Sequence, residues 1–358
     1  MLLMIALCGH LVGCHNVEKV SDEIPVVEKM TLLVGTYTDG TGSHGVYLVD
    51  FDESTLEFAV RDSLSLGNPS FLCNGVDSLV YAVSESGDKS ALHEIIVTDD
   101  GKMSVASSTP INSADPCYVA SNGEMVATAS YSGGEAYLWK KDVATDTLRS
   151  IASGADKTGR QDSGHMHCSA FTPDGEAVAM CDFSGDRILV MAVDSKKQSG
   201  LSLPSGSGPR HIIFNKAGTL AFVITELSGC VYAMEYSGAT KSLSLLQTIE
   251  ADSVHAHGSA DIHLSPDEKF LYVSNRLEAD GVVVFKVNNG GQLQRVGYQP
   301  TGKHPRNFMI TPSGKHLLVA CRDDNSIEIY KRDAATGLLS ATGKSIKLPS
   351  PVCVIVKN

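Results

Sequence analysis

The chain has 358 residues, 42% hydrophobic and 6% aromatic, with 33 glycines and a formal net charge of −12. Length and apolar share are enough for a sizeable core, and the glycines suit many tight turns. The acidic balance, with no run of Lys or Arg, excludes a general nucleic-acid or anionic-membrane surface; arginines gathered at one place can still bind a small anion.

The first segment in chain order, Leu2-Leu3-Met4-Ile5-Ala6-Leu7, is too short to span a bilayer and resembles the apolar stretch of a signal peptide. Leu11-Val12-Gly13-Cys14 follows and resembles the bacterial lipobox, where small residues fit the signal peptidase and the cysteine thiol takes the lipid. No Lys or Arg precedes Cys14, a departure from the usual basic start of such signals. Residues 1–14 are therefore read as a lipoprotein signal segment with Cys14 as lipid anchor and only membrane contact. Residues 15–30 read as a polar tether, and residues 31–358 as one β domain. The location implied is the cell envelope, with the cytoplasm as the alternative; a monomer is expected.

Leu32–Tyr37, Gly45–Val49 and Leu56–Val60 then read as three strands. From Asn68 onward two motifs alternate. One opens an apolar strand: Asn68-Pro69-Ser70-Phe71, Asp115-Pro116-Cys117-Tyr118, His165-Met166-His167-Cys168, Gly208-Pro209-Arg210-His211, Ser259-Ala260-Asp261-Ile262, His304-Pro305-Arg306-Asn307 and Ser350-Pro351-Val352-Cys353. The other closes the next strand, as in Val83-Ser84-Glu85, Met180-Cys181-Asp182, Ile224-Thr225-Glu226, Ser274-Asn275-Arg276 and Ala320-Cys321-Arg322. Between them lie turns such as Thr172-Pro173-Asp174-Gly175. Two apolar strands joined by a tight turn form an antiparallel hairpin. Two further β-like runs complete each unit, and the period of roughly 40–50 residues is that of propeller blades.

The seventh opening, Pro351 to Val356, has no partner after it, whereas the three N-terminal strands have none before them. Together they make a seventh blade and remove two exposed sheet edges. The fold predicted is all-β, a seven-bladed β-propeller of four-stranded antiparallel blades, closed by one C-terminal strand with three N-terminal strands. A β-sandwich would not require the period.

In a hairpin the second strand ends where the first begins, so both motifs reach one mouth of a central channel. That places His167, Arg210 and Arg306 from openings beside Glu85, Asp182, Glu226, Arg276 and Arg322 from closings. Strand alternation puts His165 and His167 on one face, and His255 and His257 repeat the spacing. Zinc needs a further ligand arrangement that the sequence does not offer, so no metal is expected. Asp186-Arg187 reads as a tie between blades. Seven cysteines beyond Cys8 and Cys14 mostly sit in apolar strands and read as buried free thiols. A phosphate-cradling GxxxxGK[ST] loop, a GxSxG nucleophile elbow and an EF-hand loop are absent.

Gly35-Thr36-Tyr37-Thr38, Asn68-Pro69-Ser70-Phe71, Arg160-Gln161 before His165 and His167, Gly208-Pro209-Arg210-His211, Thr225-Glu226-Leu227 and Ser274-Asn275-Arg276 form an ordered set. The set resembles the bacterial 6-phosphogluconolactonase group of propeller lactonases, related to fungal carboxymuconate lactonizing enzyme. The resemblance implies metal-free, cofactor-free chemistry on a small lactone at the channel mouth, most directly 6-phospho-glucono-1,5-lactone. It places His167, Arg210, Glu226 and Arg276 at the group's proposed active site. Arg306, at a strand opening, is read as a second anion contact, and His165 and His211, from two other openings, as further substrate contacts. A neutral imidazole can take a proton from water attacking the lactone carbonyl. A guanidinium can hold a carboxylate, a phosphate or the oxyanion, and Glu226 can orient Arg210 or His167. The alternatives are another carboxylated lactone or a non-catalytic envelope binding module.

Overall fold

A computed structural model describes residues 28–358; the signal segment, Cys14 and most of the tether lie outside the described residues. The domain is a ring of seven four-stranded antiparallel sheets. Blades 1 to 6 span residues 69–110, 116–149, 166–202, 209–250, 259–300 and 305–347. Blade 7 is the expected composite: Pro351–Val356 pairs with Lys29–Thr36, which pairs with Gly45–Asp52, then Glu57–Ser65. Leu33 lies opposite Ile355 and Val34 opposite Val354, so the chain ends seal the ring. Gly35 permits the closure, since a Cβ there would lie 2.3 Å from the Pro69 carbonyl of blade 1.

Burial grades outward along each blade. In blade 5 the strand Phe270–Asn275 is buried at every position, while the outermost strand Leu293–Pro300 is exposed at five of its eight positions. The apolar core is correspondingly divided, with one cluster in each interface between neighbouring blades. Ile188, Val190, Ile212, Val223 and Met234 join blades 3 and 4, and Phe222, Ile224, Ile262, Leu271 and Phe285 join blades 4 and 5. Packing sheet on sheet around the ring uses the apolar faces and leaves the axis for polar side chains. All seven cysteines among the described residues are free thiols, five of them buried. No helix among the described residues is long and apolar enough to cross a membrane.

Two repeated devices build the mouth. In every blade the residue just after the second strand donates its N–H to the carbonyl of the residue just before the innermost strand. Examples are Glu85 to Asn68 at 3.0 Å, Glu226 to Gly208 at 2.8 Å and Tyr37 to Ser350 at 3.1 Å. The residue before the innermost strand takes positive φ in five blades, at Asn68, Asp115, Gly208, His304 and Ser350. At Gly208 a Cβ would also lie 2.7 Å from Leu227 Cγ, so glycine is required there twice over. The second device is a β-bulge at the first turn of all seven innermost strand pairs; in blade 4, Pro209 faces Thr225 while His211 faces Ile224. The extra residue breaks the two-residue alternation, so consecutive side chains such as Arg210 and His211 both enter the axial region.

Candidate active site

Glu226 follows the second strand of blade 4 and is only 6% exposed. Three guanidiniums converge on it. Arg210 Nε, from the blade 4 bulge, reaches Oε2 at 2.8 Å, and Arg276 Nη2, from blade 5, reaches Oε1 at 3.0 Å. Arg160 Nη2, from the loop between blades 2 and 3, also donates to Oε1. Burial opposes the charge on Glu226, yet Arg276, Arg210 and Arg160 hold its carboxyl well below the usual carboxylate range. One carboxylate among three guanidiniums leaves a net positive site sheltered from solvent, the electrostatic form of an anion receptor.

The guanidiniums are oriented by what they have already bonded. Arg210 spends Nη1 on the Ala260 carbonyl at 2.7 Å and on His211 Nε2 at 3.3 Å, while Nη2 makes no hydrogen bond to the described residues. Arg276 donates Nε to the Gly258 carbonyl at 2.8 Å and places Nη1 3.2 Å from His304 Nε2. Burial lowers Arg276 to about 9, with Glu226 resisting and Arg210 and Arg306 adding to the fall; it remains a cation at neutral pH. Arg306, from the blade 6 bulge, lies over the Tyr37 ring at 5.2 Å and has only a long 3.8 Å contact with Glu85. Tyr37 itself donates to Glu85 at 2.8 Å. Arg306 is thus the guanidinium with most hydrogen-bonding capacity left.

His167, at the blade 3 bulge, is 5% exposed. Its Nδ1 lies 3.7 Å from Cys117 Sγ, and Nε2 makes no hydrogen bond to the described residues. Its ring stands edge-on to His211 at 5.3 Å and to Tyr131 at 5.6 Å. Burial first, then Arg210, His211 and Arg306, hold His167 well below the ordinary histidine range. A neutral imidazole beside fixed cations is the form that accepts a proton.

The sequence-predicted residues separate here. Arg210, Glu226 and Arg276 form one ion-pair cluster, with His167 beside it and Arg306 contributed by the next blade after Arg276, close enough for its charge to act on Arg276, Glu226 and His167. Glu226 does not hold His167; the carboxylate that holds an imidazole is Asp261, 2.8 Å from His211 Nδ1. His211 stands edge-on to Tyr118 and Phe71, which hold the equivalent position after the bulge in blades 2 and 1. His165 and His167 both pack against Tyr131 and Phe183; the His165 ring stacks on Tyr131 at 4.1 Å and its Nδ1 meets the Tyr131 carbonyl. His255 and His257 are exposed loop residues, and no group of three or more His, Cys, Asp or Glu among the described residues could hold a metal.

Asp182 is fully buried one position short of the rim, where Phe183 stands, and is tied to Arg187 at 2.7 Å in its own hairpin. Of the Asp186-Arg187 pair, it is Asp186 that reaches toward the next blade, accepting from the Gly206 and Gly208 N–H groups. Arg322 is engaged by Asp323 at 2.6 Å and meets the cluster only through His304, whose Nδ1 lies 3.2 Å from Arg322 Nη2 and whose Nε2 faces Arg276. Sequence reasoning quoted Arg160 only as part of a resemblance and gave no role to Tyr37 or Asp261. The motif register aligns Asp261 with Arg210; in the structure Gly258 holds the place of Gly208, which shifts Asp261 by one position to match His211, and nothing local shows that the two meet.

The sequence profile of a family described as "Lactonase, 7-bladed beta-propeller" matches residues 31–356. The chain is 33% identical over 354 residues to the 6-phosphogluconolactonase of Formosa agariphila, covering 90% of this chain and 96% of that protein. It is 30% identical to the 6-phosphogluconolactonase of Bacillus subtilis, again over 90% and 96% of the two chains. A crystal structure from Bacteroides uniformis is 44% identical and superposes with a TM-score of 0.87, over 92% of this chain and 99% of that one. The periplasmic gluconolactonase of Pseudomonas aeruginosa is 26% identical, with a TM-score of 0.85 and coverage of 92% and 99%.

Proposed function

Because this chain belongs to the seven-bladed β-propeller lactonase family, we propose that it hydrolyses a sugar-acid lactone, with 6-phospho-glucono-1,5-lactone the leading substrate. The observation that carries the reading is the convergence of Arg160, Arg210 and Arg276 on one buried carboxylate beside a neutral imidazole. The relatives from Formosa and Bacillus, both named 6-phosphogluconolactonase, support the phosphorylated substrate.

In the proposed reaction, Nε2 of His167 takes a proton from a water that attacks the lactone carbonyl. The tetrahedral oxyanion is held by the free Nη2 of Arg210, which Glu226 and the Ala260 carbonyl keep in place. Collapse breaks the ring C–O bond, and the departing oxygen takes the proton back from His167. Arg306 binds the substrate's distal anion. The chemistry asks little more, since a lactone is already a reactive ester.

A second reading, an unphosphorylated aldonolactone at the cell envelope, is favoured by the Pseudomonas relative, which is named a periplasmic gluconolactonase. The lipobox-like Leu11–Cys14 agrees with that location. A pH-stat assay of ring opening, with chelator present, across phosphorylated and unphosphorylated lactones separates the two. Acceleration of the phosphorylated lactone supports the first reading, and acceleration of gluconolactone alone supports the second. No acceleration of any lactone sinks the enzyme reading and leaves a binding module. Labelled-lipid incorporation that is unchanged in Cys14→Ala would remove the anchor.

A further inference from the structure

The axis of the propeller is crossed by a hydrogen-bonded chain whose members His211, Asp261 and His263 the reaction above does not use. At its centre is Asp261, 2% exposed, on the innermost strand of blade 5. Oδ1 meets His211 Nδ1 at 2.8 Å and accepts the Ile262 N–H at 3.0 Å. Oδ2 meets His263 Nε2 at 2.9 Å and accepts from Asn307 Nδ2 at 2.6 Å and the Phe308 N–H at 3.1 Å. Every lone pair of this carboxylate is therefore committed. On one side the chain continues from His211 Nε2 to Arg210 Nη1 and so to Glu226. On the other it ends at His263, whose side chain is 38% exposed. His263 lines a cavity of about 500 Å3 with Ile213, Met309 and Ile355. That cavity is bounded by the ends of the innermost strands, so it is the channel opening opposite the active site.

The arrangement fixes a tautomer. Asp261 can only accept from His211 Nδ1, so that nitrogen carries the hydrogen and Nε2 keeps the lone pair that receives Arg210. Protonating His211 would set N–H against N–H and cation against cation, pushing Arg210 out of its place. We propose that Asp261 and His263 are positioning residues for Arg210, acting through His211, with the charge on His263 at the opposite opening setting how easily His211 takes the disruptive proton.

The groups that face the chain are few. His211 is faced by Arg210 on its own strand, by His167 and Tyr118 from blades 3 and 2, and by Asp261. His263 is faced by Asp261, with Lys216 and Glu268 around the same opening and Phe308 edge-on at 4.9 Å. Burial and then Arg210 lower His211 to about 4, against the pull of Asp261, and His263 adds to the fall. Burial opposes a charge on His263, but Asp261 raises it above the ordinary histidine value. A cationic His263 thus protects the neutral state of His211.

The test is His263→Gln in the full chain, which keeps a side chain able to donate to Asp261 and removes the titrating charge. Two readouts are used. In 15N NMR of the imidazole nitrogens, wild-type His211 should show Nδ1 protonated, and its midpoint should rise by about one unit in the variant, the size expected for losing a nearby like charge. In lactone kinetics the acid-side rise in KM should move up by the same amount. An unchanged His211 titration with an unchanged acid limb would overturn the proposal. The kinetic half rests on the lactonase reading and the NMR half does not: absent hydrolysis with a shifted His211 would sink only the former.

Discussion

Glu226→Gln is the sharpest test of the cluster. The carboxylate is 6% exposed and meets Arg210 at 2.8 Å and Arg276 at 3.0 Å, with Arg160 on the same oxygen as Arg276. The amide keeps the shape and one acceptor but leaves three guanidiniums without their counter-charge. Breaking a buried ion pair by removing one partner costs about 3–5 kcal/mol. With an unfolding entropy of about 2.1 cal/mol/K per residue, a domain of about 330 residues has roughly 0.7 kcal/mol/K, so Tm should fall by about 4–7 °C. The pH sign follows from the depressed carboxyl. Its contribution is complete above the unfolded glutamate value of about 4.3 and is lost as pH falls toward the folded value. The gap between wild type and variant should therefore be full at pH 7 and narrow below about pH 4. Differential scanning fluorimetry at constant ionic strength reads both, and added inorganic phosphate should recover part of the loss by occupying the uncompensated guanidiniums. A variant as stable as wild type, with no response to phosphate, would refute the claim that Glu226 neutralises this cluster.

His167→Gln should lower kcat by about 10²–10⁴ while leaving Tm nearly unchanged, the range for losing a general base; retained activity would move the base elsewhere. Because burial holds His167 well below the ordinary range, kcat/KM should show no acid limb near pH 6.5, and a limb at that pH would contradict the assignment. Arg306→Met should raise KM for a phosphorylated lactone by about tenfold or more and change KM for an unphosphorylated one less, since it removes a charge-assisted contact worth roughly 1.5–3 kcal/mol. Gly208→Ala should destabilise the fold by about 1–3 kcal/mol and lower activity through Arg210, because its φ of +62° and the 2.7 Å approach of Leu227 both exclude a Cβ; a silent variant would show that the turn tolerates a side chain.

The polar axis follows from how a propeller uses its apolar surface. Each blade buries both faces of its inner strands against neighbours, so the core lies between blades and the innermost edges are left to face one another. Side chains there need partners of their own kind, and Asp261, His211, His263 and Asn307 supply them. The same economy explains why the functional cluster sits at the rim, where the chain leaves the bonded hairpin and cations can be held by carbonyls such as Gly258 and Ala260.

How much of this was legible without the structure depends on the range of the forces involved. The repeat of strand openings and closings is local, because hairpin pairing is written in apolar runs and turn residues. From it alone come seven blades, the composite seventh, and one rim shared by His167, Arg210, Glu226 and Arg276. What alternation could not foresee is the bulge at each innermost strand, which turns Arg210 and His211 the same way and puts Phe183 rather than Asp182 at the rim. Nor could it pair residues roughly fifty positions apart, such as His211 with Asp261, or bring Arg160 from a loop onto Glu226. Those contacts form only when neighbouring blades dock. Their geometry is set by packing between sheets, and the residues themselves carry just the capacity to bond.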